Sequence, residues 1–336
     1  MNKKYLALAL AVVFALTAVL AGCGQSKPAE QAQKPAAPQK VIIAYTPWTG
    51  YAALFVAQSK GMFKARGLDV EVQAIEGVGD RKQALAAGKI QGMAASIDVS
   101  ISAADTMPLK YVWAFDSSAG ADGLLVKPQI KGFADLKGKQ VAYHKGSASH
   151  LMLTEMLAKN NMKESDIVAV DMKASEAAAA FMAGKVDAAV TWEPHLTKAV
   201  KAGGKLLATS KDTPGLIADV LVFKEDYVKA NPEIVQKIVE AMAEATEFLV
   251  KNQAEAAKMV AEGLKMKPED VTSEFPTLKF YTLKECLEFY GTAAKPGPMH
   301  AVTKKAAQFY VDQKVLKAVP DVSKIIDSSF IEKIKK

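Results

Sequence analysis

Four carboxylates stand at the edges of apolar, strand-like runs: Asp98 after MAASI, Asp116 after YVWAF, Asp122 before GLLVK and Glu193 after AAVTW. A carboxylate in such a place is drawn into the protein and needs a partner there, because a buried charge without one is costly. Two have a local role in prospect. Asp98 is placed to cap a helix, and Glu193 precedes Pro194 at a helix start, where negative charge is favoured. Asp116, in AFDSSAGAD, and Asp122 have no such role. Arginine, which forks onto carboxylates and anionic ligands, occurs only at Arg66 and Arg81 in the whole chain. A cationic group brought by a ligand, as amine, amidine or guanidinium, is therefore a reasonable partner for these acids.

Aromatic residues accompany them. Trp48 and Trp192 end strand-like runs, and with Tyr51 they would give walls that stack on a planar group or face a cation. Trp113, in the middle of its run, is expected in the core. An opposite chemistry is also written in the chain. Ser147, Ser149 and the amides of GSASH (146–150) open a helix and could hold an anion through backbone N–H groups and the helix dipole. Arg81 could assist, His150 could donate to the ligand, and a zwitterion such as taurine would use both sets. His144 and His150 are six residues apart, which does not suit a metal pair on one helical face, so neither metal nor cofactor is expected. GxSxG, Walker and HExxH motifs are missing, which argues against an enzyme.

The elements that must position these residues alternate. Strand patterns at 41–47, 70–75, 93–97, 111–115, 123–127, 140–145, 167–172 and 188–192 are interleaved with helical ones near 50–65, 80–87, 149–160 and 174–183. Such alternation predicts an α/β architecture with mostly parallel sheets covered on both faces. Beyond Asp226 the pattern is helical, most clearly over 231–252, where Pro232 suits a first helical turn. The chain also echoes itself. QALAAGKIQGMAASID (83–98) aligns without gaps on AAFMAGKVDAAVTWEP (179–194), and VIIAYTPWTGYAAL (41–54) resembles QVAYHKGSASHLML (140–153). Two similar lobes explain this economically: lobe I over 41–123 and 218–336, lobe II over 124–217, joined by two crossings that form a hinge. Because ligands lie beyond the C-terminal ends of strands in open α/β sheets, the acids and aromatics above should meet in the crevice between the lobes.

The front of the chain is of another kind. Lys3 and Lys4, an apolar run to about Val19, and Leu20-Ala21-Gly22-Cys23 have the order of a lipoprotein signal over residues 1–22, with Cys23 as the acylated residue. Residues 23–40, rich in Pro, Ala, Gln and Lys, have too little apolar surface to fold and are expected to act as a flexible tether. The formal charge of +7 falls to +5 without Lys3 and Lys4, and the lysines are spread along helical faces, which gives little support to nucleic-acid binding. Cys286, the only other cysteine, is expected as a small buried hydrophobe.

Several segments together resemble a known family: Trp48-Thr49-Gly50-Tyr51, GMFKARGLDVEV (61–72), ALAAGKIQG (84–92), FADLKGKQVAYHKGSASH (133–150) and AGKVDAAVTWEP (183–194). They are similar to the periplasmic solute-binding proteins of ABC importers for nitrate, sulfonate, taurine and thiamine-pyrimidine precursors. GAD at 120–122 with GSASH at 146–150 is most similar to members grouped with urea-carboxylase or aminopyrimidine uptake. The resemblance implies a type II periplasmic-binding-protein fold, pocket positions for Trp48 and Trp192, and a monomeric receptor on the membrane that serves a permease and an ATPase. It implies no catalysis. A pyrimidine synthase shares the fold, but that resemblance carries a cysteine cluster that this chain lacks. A sensory binding module is the remaining alternative.

Overall fold

The computed structural model describes residues 40–292 and 294–334. The signal segment, Cys23 and the tether up to residue 39 lie outside the described residues. Among the described residues eleven strands occur in chain order: β1 (Lys40–Tyr45), β2 (Asp69–Ala74), β3 (Gly92–Ser96), β4 (Leu109–Ser118), β5 (Asp122–Val126), β6 (Gln140–Tyr143), β7 (Val168–Asp171), β8 (Ala188–Trp192), β9 (Lys205–Thr209), β10 (Ala218–Lys224) and β11 (Leu278–Phe280). They form two sheets, one in the order β11-β4-β10-β3-β1-β2 and one in the order β7-β6-β8-β5-β9. Each sheet has helices around it and its own apolar core. The fold is that of a type II periplasmic binding protein, two α/β lobes joined by a two-segment hinge.

The internal echo is a topological repeat. In the first lobe β1 pairs parallel with β2 and β3, and in the second β6 pairs parallel with β7 and β8. Gly88 and Gly184, at matching positions of the aligned segments, end their helices with φ of +69° and +73°, a conformation that glycine adopts without a Cβ penalty.

The expectation of mostly parallel sheets is corrected. β10 runs antiparallel to β3 and β4, β11 antiparallel to β4, and β5 antiparallel to β8 and β9. The physical reason lies in the two crossings. β5 and β10 enter their sheets from the other lobe and need no helical crossover within the sheet, so nothing compels them to run parallel. With both faces covered, strands of either direction read as continuous apolar runs, and the pattern alone does not tell them apart. The helical segment near 50–65 is likewise divided, into a 3-10 turn Thr49–Tyr51 and helices Ala52–Ser59 and Met62–Ala65, with Gly61 at φ +67° between the helices.

The helix Pro232–Lys251 shows how the later part of the chain supports the first lobe. Val235, Ile238, Val239, Met242, Ala245 and Leu249 lie on one face and are fully buried, with Pro232 in the first turn. Removing a side chain such as Ile238 from water contributes about 1.5–3 kcal/mol. Among the described residues no helix is long and apolar enough to cross a membrane. Cys286 is buried, as expected, and its thiol donates to the Ala114 carbonyl at 3.3 Å.

The hinge is hydrogen-bonded to itself. The first crossing joins β4 to β5 through Ala119, Gly120 and Ala121, and the second runs from the turn Ser210–Asp212 to β10. Ser118 donates its amide to the Ile217 carbonyl at 3.1 Å, the Ser118 and Ser210 hydroxyls are 2.7 Å apart, and the Gly120 amide donates to Ser210 Oγ at 2.7 Å. Gly120 has φ +126°, where a side chain would be strained.

Candidate functional site

The ends of these strands converge on a chamber between the lobes. It is lined by Thr46, Trp48 and Tyr51 from the β1 turn, Glu76 and Arg81 around the start of helix Val78–Ala86, and Ser96 at the end of β3. Asp219 at the start of β10 and Asp122 at the start of β5 add carboxyl groups. From the second lobe come Ser147 and Ala148, at the start of helix Ala148–Lys159, and Trp192 at the end of β8. The free volume is about 30 Å³. Since a single water needs ~10–15 Å³, this closed form admits a solute of few heavy atoms.

The carboxyl groups form the core of the site. Asp219 sits opposite Asp116 in the β10–β4 register and opposite Ser96 in the β10–β3 register. Tyr51 donates its hydroxyl to Asp219 Oδ1 at 2.7 Å, and Trp48 Nε1 donates to Asp116 Oδ2 at 3.4 Å. Asp98 Oδ2, Asp116 Oδ1 and Asp122 Oδ2 are buried with no hydrogen-bond partner. Among the described residues no ion pair connects Asp98, Asp116, Asp122 or Asp219 to a lysine or arginine.

Proton affinity follows from this. Burial pushes Asp98 up to about 6, against hydrogen bonds from Ser96 and from backbone amides. Burial and the neighbouring acids push Asp219 up to about 7 and Asp122 up to about 8. Asp116 is raised well above the carboxylate range, first by burial and then by the charge of Asp219. Arg81 is almost fully buried, and burial lowers its pKa from the usual value. Its Nη1 donates to the carbonyls of Ile75 and Glu76 at 2.7 and 3.0 Å, while its Nε has no partner.

Of the residues singled out from sequence, Trp48, Tyr51, Asp122, Ser147 and Trp192 line the chamber. Asp116 and Asp98 stand behind that lining, the former tied to Trp48 and the latter in the first turn of helix Ile97–Ile101. Trp113 is buried in the core. Three residues are elsewhere. Glu193 accepts from the amide and hydroxyl of Thr197 at 2.9 and 2.7 Å, so it serves the start of helix His195–Lys201. His150 accepts from the Gly146 amide at Nδ1, leaving Nε2 to donate to Glu164 at 3.1 Å, and its ring packs between Tyr143 and Phe309. Ser149 is buried outside the lining, with an unpartnered hydroxyl. Asp219 and Glu76 were not singled out. Asp219 opens an antiparallel strand, whereas the rule for open α/β sheets points to strand C-termini. Its visible signal is a lone carboxylate inside the apolar run LIADVLVF.

The lobes are closed on each other. Trp192 Nε1 donates to the Pro47 carbonyl at 3.2 Å and Ser175 Oγ to Glu76 Oε1 at 2.5 Å. Lys201 pairs with Asp270 and Lys305 with Glu155, both at 2.9 Å. A small chamber at the topological switch between two hinged α/β lobes defines the class of two-lobed solute-binding proteins.

Within that class, the model of the family described as NMT1/THI5 like matches residues 48–256, well over half of the chain, and the protein belongs to this family. A Bacillus subtilis (strain 168) protein named for binding aliphatic sulfonates is 24% identical over 340 residues, covering 98% of this chain and 96% of its own. A 4-amino-5-hydroxymethyl-2-methylpyrimidine phosphate synthase of Saccharomyces cerevisiae is 25% identical over 65% of this chain and 68% of its own. Among solved structures, the alkanesulfonate-binding protein SsuA of Xanthomonas axonopodis pv. citri bound to MOPS superposes with a TM-score of 0.72 at 23% identity, covering 88% of this chain and all of that one.

Proposed function

We propose that this protein is the solute receptor of an ABC import system, held on the outer face of the membrane by a lipid on Cys23, and that it closes on a small polar solute with a cationic nitrogen group. The observation that carries the ligand reading is the pair Asp122 and Asp219 in the chamber wall with Asp116 behind it, all buried and none ion-paired to a lysine or arginine among the described residues, Arg81 acting on Asp219 only from a distance. Trp48, Tyr51 and Trp192 favour the same ligand, since aromatic faces attract cations. Contact with both lobes gives the ligand its leverage, because only the closed state offers all of these groups at once. Binding rather than turnover is favoured by a lining that contains neither cysteine nor histidine.

A simple anion is the second reading. It draws on the unpartnered Nε of Arg81, on the amides that open helix Ala148–Lys159 beside Ser147, and on relatives named for sulfonates. A zwitterion such as taurine would engage both ends of the chamber.

A thermal-unfolding panel of amines, amidines, guanidines, taurine, methanesulfonate and nitrate separates these readings. Ligand at a hundred times Kd adds about 2.7 kcal/mol, enough to raise the midpoint by several degrees. Stabilisation by cations or zwitterions is expected, and stabilisation by simple anions alone overturns the cationic reading. The anchor has its own check: a Cys23→Ser variant is expected in the soluble fraction while the parent chain sediments with membranes.

A further inference from the structure

We infer that the solute is a small planar amidinium-type cation, of which guanidinium is the parent, held by Asp122 and Asp219 in the chamber wall that Trp48 and Trp192 share, with Asp116 behind that wall opposite Asp219. This rests on the receptor reading above and narrows it.

Donors and acceptors at the chamber give the first argument. Asp122 Oδ2 in the wall and Asp116 Oδ1 behind it are buried without partners, while Arg81 has committed Nη1 to two carbonyls and keeps only Nε unpartnered. A ligand that fills the acid end of this site must be rich in donors. Guanidinium and amidinium carry N–H donors and no acceptor, whereas nitrate or a sulfonate would set acceptors against acceptors.

The second argument is the cross-strand position of Asp116 and Asp219. Like charges directly opposite each other destabilise a sheet, and these two are fully enclosed. Tyr51 and Trp48 each supply one neutral donor and Arg81 acts on Asp219 only from a distance, so without a ligand the two carboxyls are held back from ionising together. A ligand cation at Asp219 and Asp122 supplies the charge that lets them ionise.

The third is shape. The carboxyls come from β4, from β10 and from the start of β5, so they approach from different elements, and the free volume is about 30 Å³. A planar cation with donors around its rim answers more than one carboxyl within that space. Its weaker hydration also makes it cheaper to desolvate than an ammonium ion.

Guanidinium, urea and nitrate are nearly the same flat, three-armed shape with charges of +1, 0 and −1, so calorimetric titration with these three isolates charge from fit. Methylammonium and taurine complete the series, all at low millimolar concentration and matched ionic strength. Guanidinium is expected to bind about a hundredfold or more tighter than urea or nitrate and about tenfold tighter than methylammonium, and Asp219→Asn is expected to weaken it by at least about tenfold. Removing one carboxylate of a repelling pair should leave the variant folded, which its unfolding midpoint reports. Equal binding of urea or nitrate, tighter binding of methylammonium, no binding of guanidinium, or an unchanged affinity in a folded Asp219→Asn variant overturns the inference. If taurine or a larger amine binds while guanidinium does not, the receptor reading survives and this inference alone falls; if nitrate alone binds, the cationic reading falls with it.

Discussion

Asp219 illustrates what burial does to a single carboxyl. An aspartate in an unfolded chain ionises near 4. In the closed protein Asp98, Asp219 and Asp122 hold their protons to about 6, 7 and 8, and Asp116 is raised as well. Between about pH 4 and pH 8 the folded protein therefore binds more protons than the unfolded one, so its stability falls as pH rises through that window. Glu274, pushed up to about 7 chiefly by burial, acts in the same direction. Unfolding midpoints of the ligand-free protein are expected to drop by several degrees from pH 5 to pH 8. Asp219→Asn should flatten that profile and stabilise the ligand-free protein at pH 8, the reverse of its effect on binding. A cationic ligand must displace protons at neutral pH, and calorimetry in buffers of different ionisation enthalpy is expected to register their release. A pH-independent midpoint would contradict this picture of the acids.

At the scale of elements, the turn after β1 carries the most information per residue. Gly50 lies so close to the site that an added Cβ would come within 2.1 Å of Trp48 Nε1 and 2.2 Å of Asp116 Oδ2. Gly50→Ala is expected to break the contact between Trp48 and Asp116, to lower the unfolding midpoint by several degrees and to weaken solute binding by about tenfold or more, as overpacking does. Such turns were legible in the sequence. Trp48, Tyr51, Ser147 and Trp192 follow strands whose apolar runs are plain, and the rule about strand ends brought them to one place. What was not legible depended on strand direction. Asp219 is at the beginning of its strand, and only the antiparallel entry of β10 from the other lobe turns that end toward the chamber. His150 is placed differently. Its position after a helix start matches that of a ligand contact, but its ring nitrogens are satisfied by Gly146 and Glu164, partners whose approach depends on folding of the second lobe.

For the molecule as a whole, the two-lobed plan could be read from the repeated segments, while the contacts that hold the lobes together could not, because they join residues far apart in the chain. Trp192 spans the cleft, lining the chamber and donating to Pro47. Trp192→Phe keeps most of the ring but removes that donor. Since one hydrogen bond is worth about 0.5–1.5 kcal/mol, solute affinity should fall roughly twofold to tenfold, and small-angle scattering of the ligand-free variant should give a larger radius than the parent. Unchanged scattering and affinity would mean that Trp192 serves only as a wall.

The hinge decides how such an opening proceeds. Two strands that merely ran side by side could each bend at its own point, and the second lobe would wobble and twist as it left the first. Here the Ser210 hydroxyl meets both Ser118 and Gly120, so each strand is pinned to its neighbour where it bends. Opening is then expected to follow one axis, as a door does on one pin, and to return Trp192 and Ser147 to the same place at each closure.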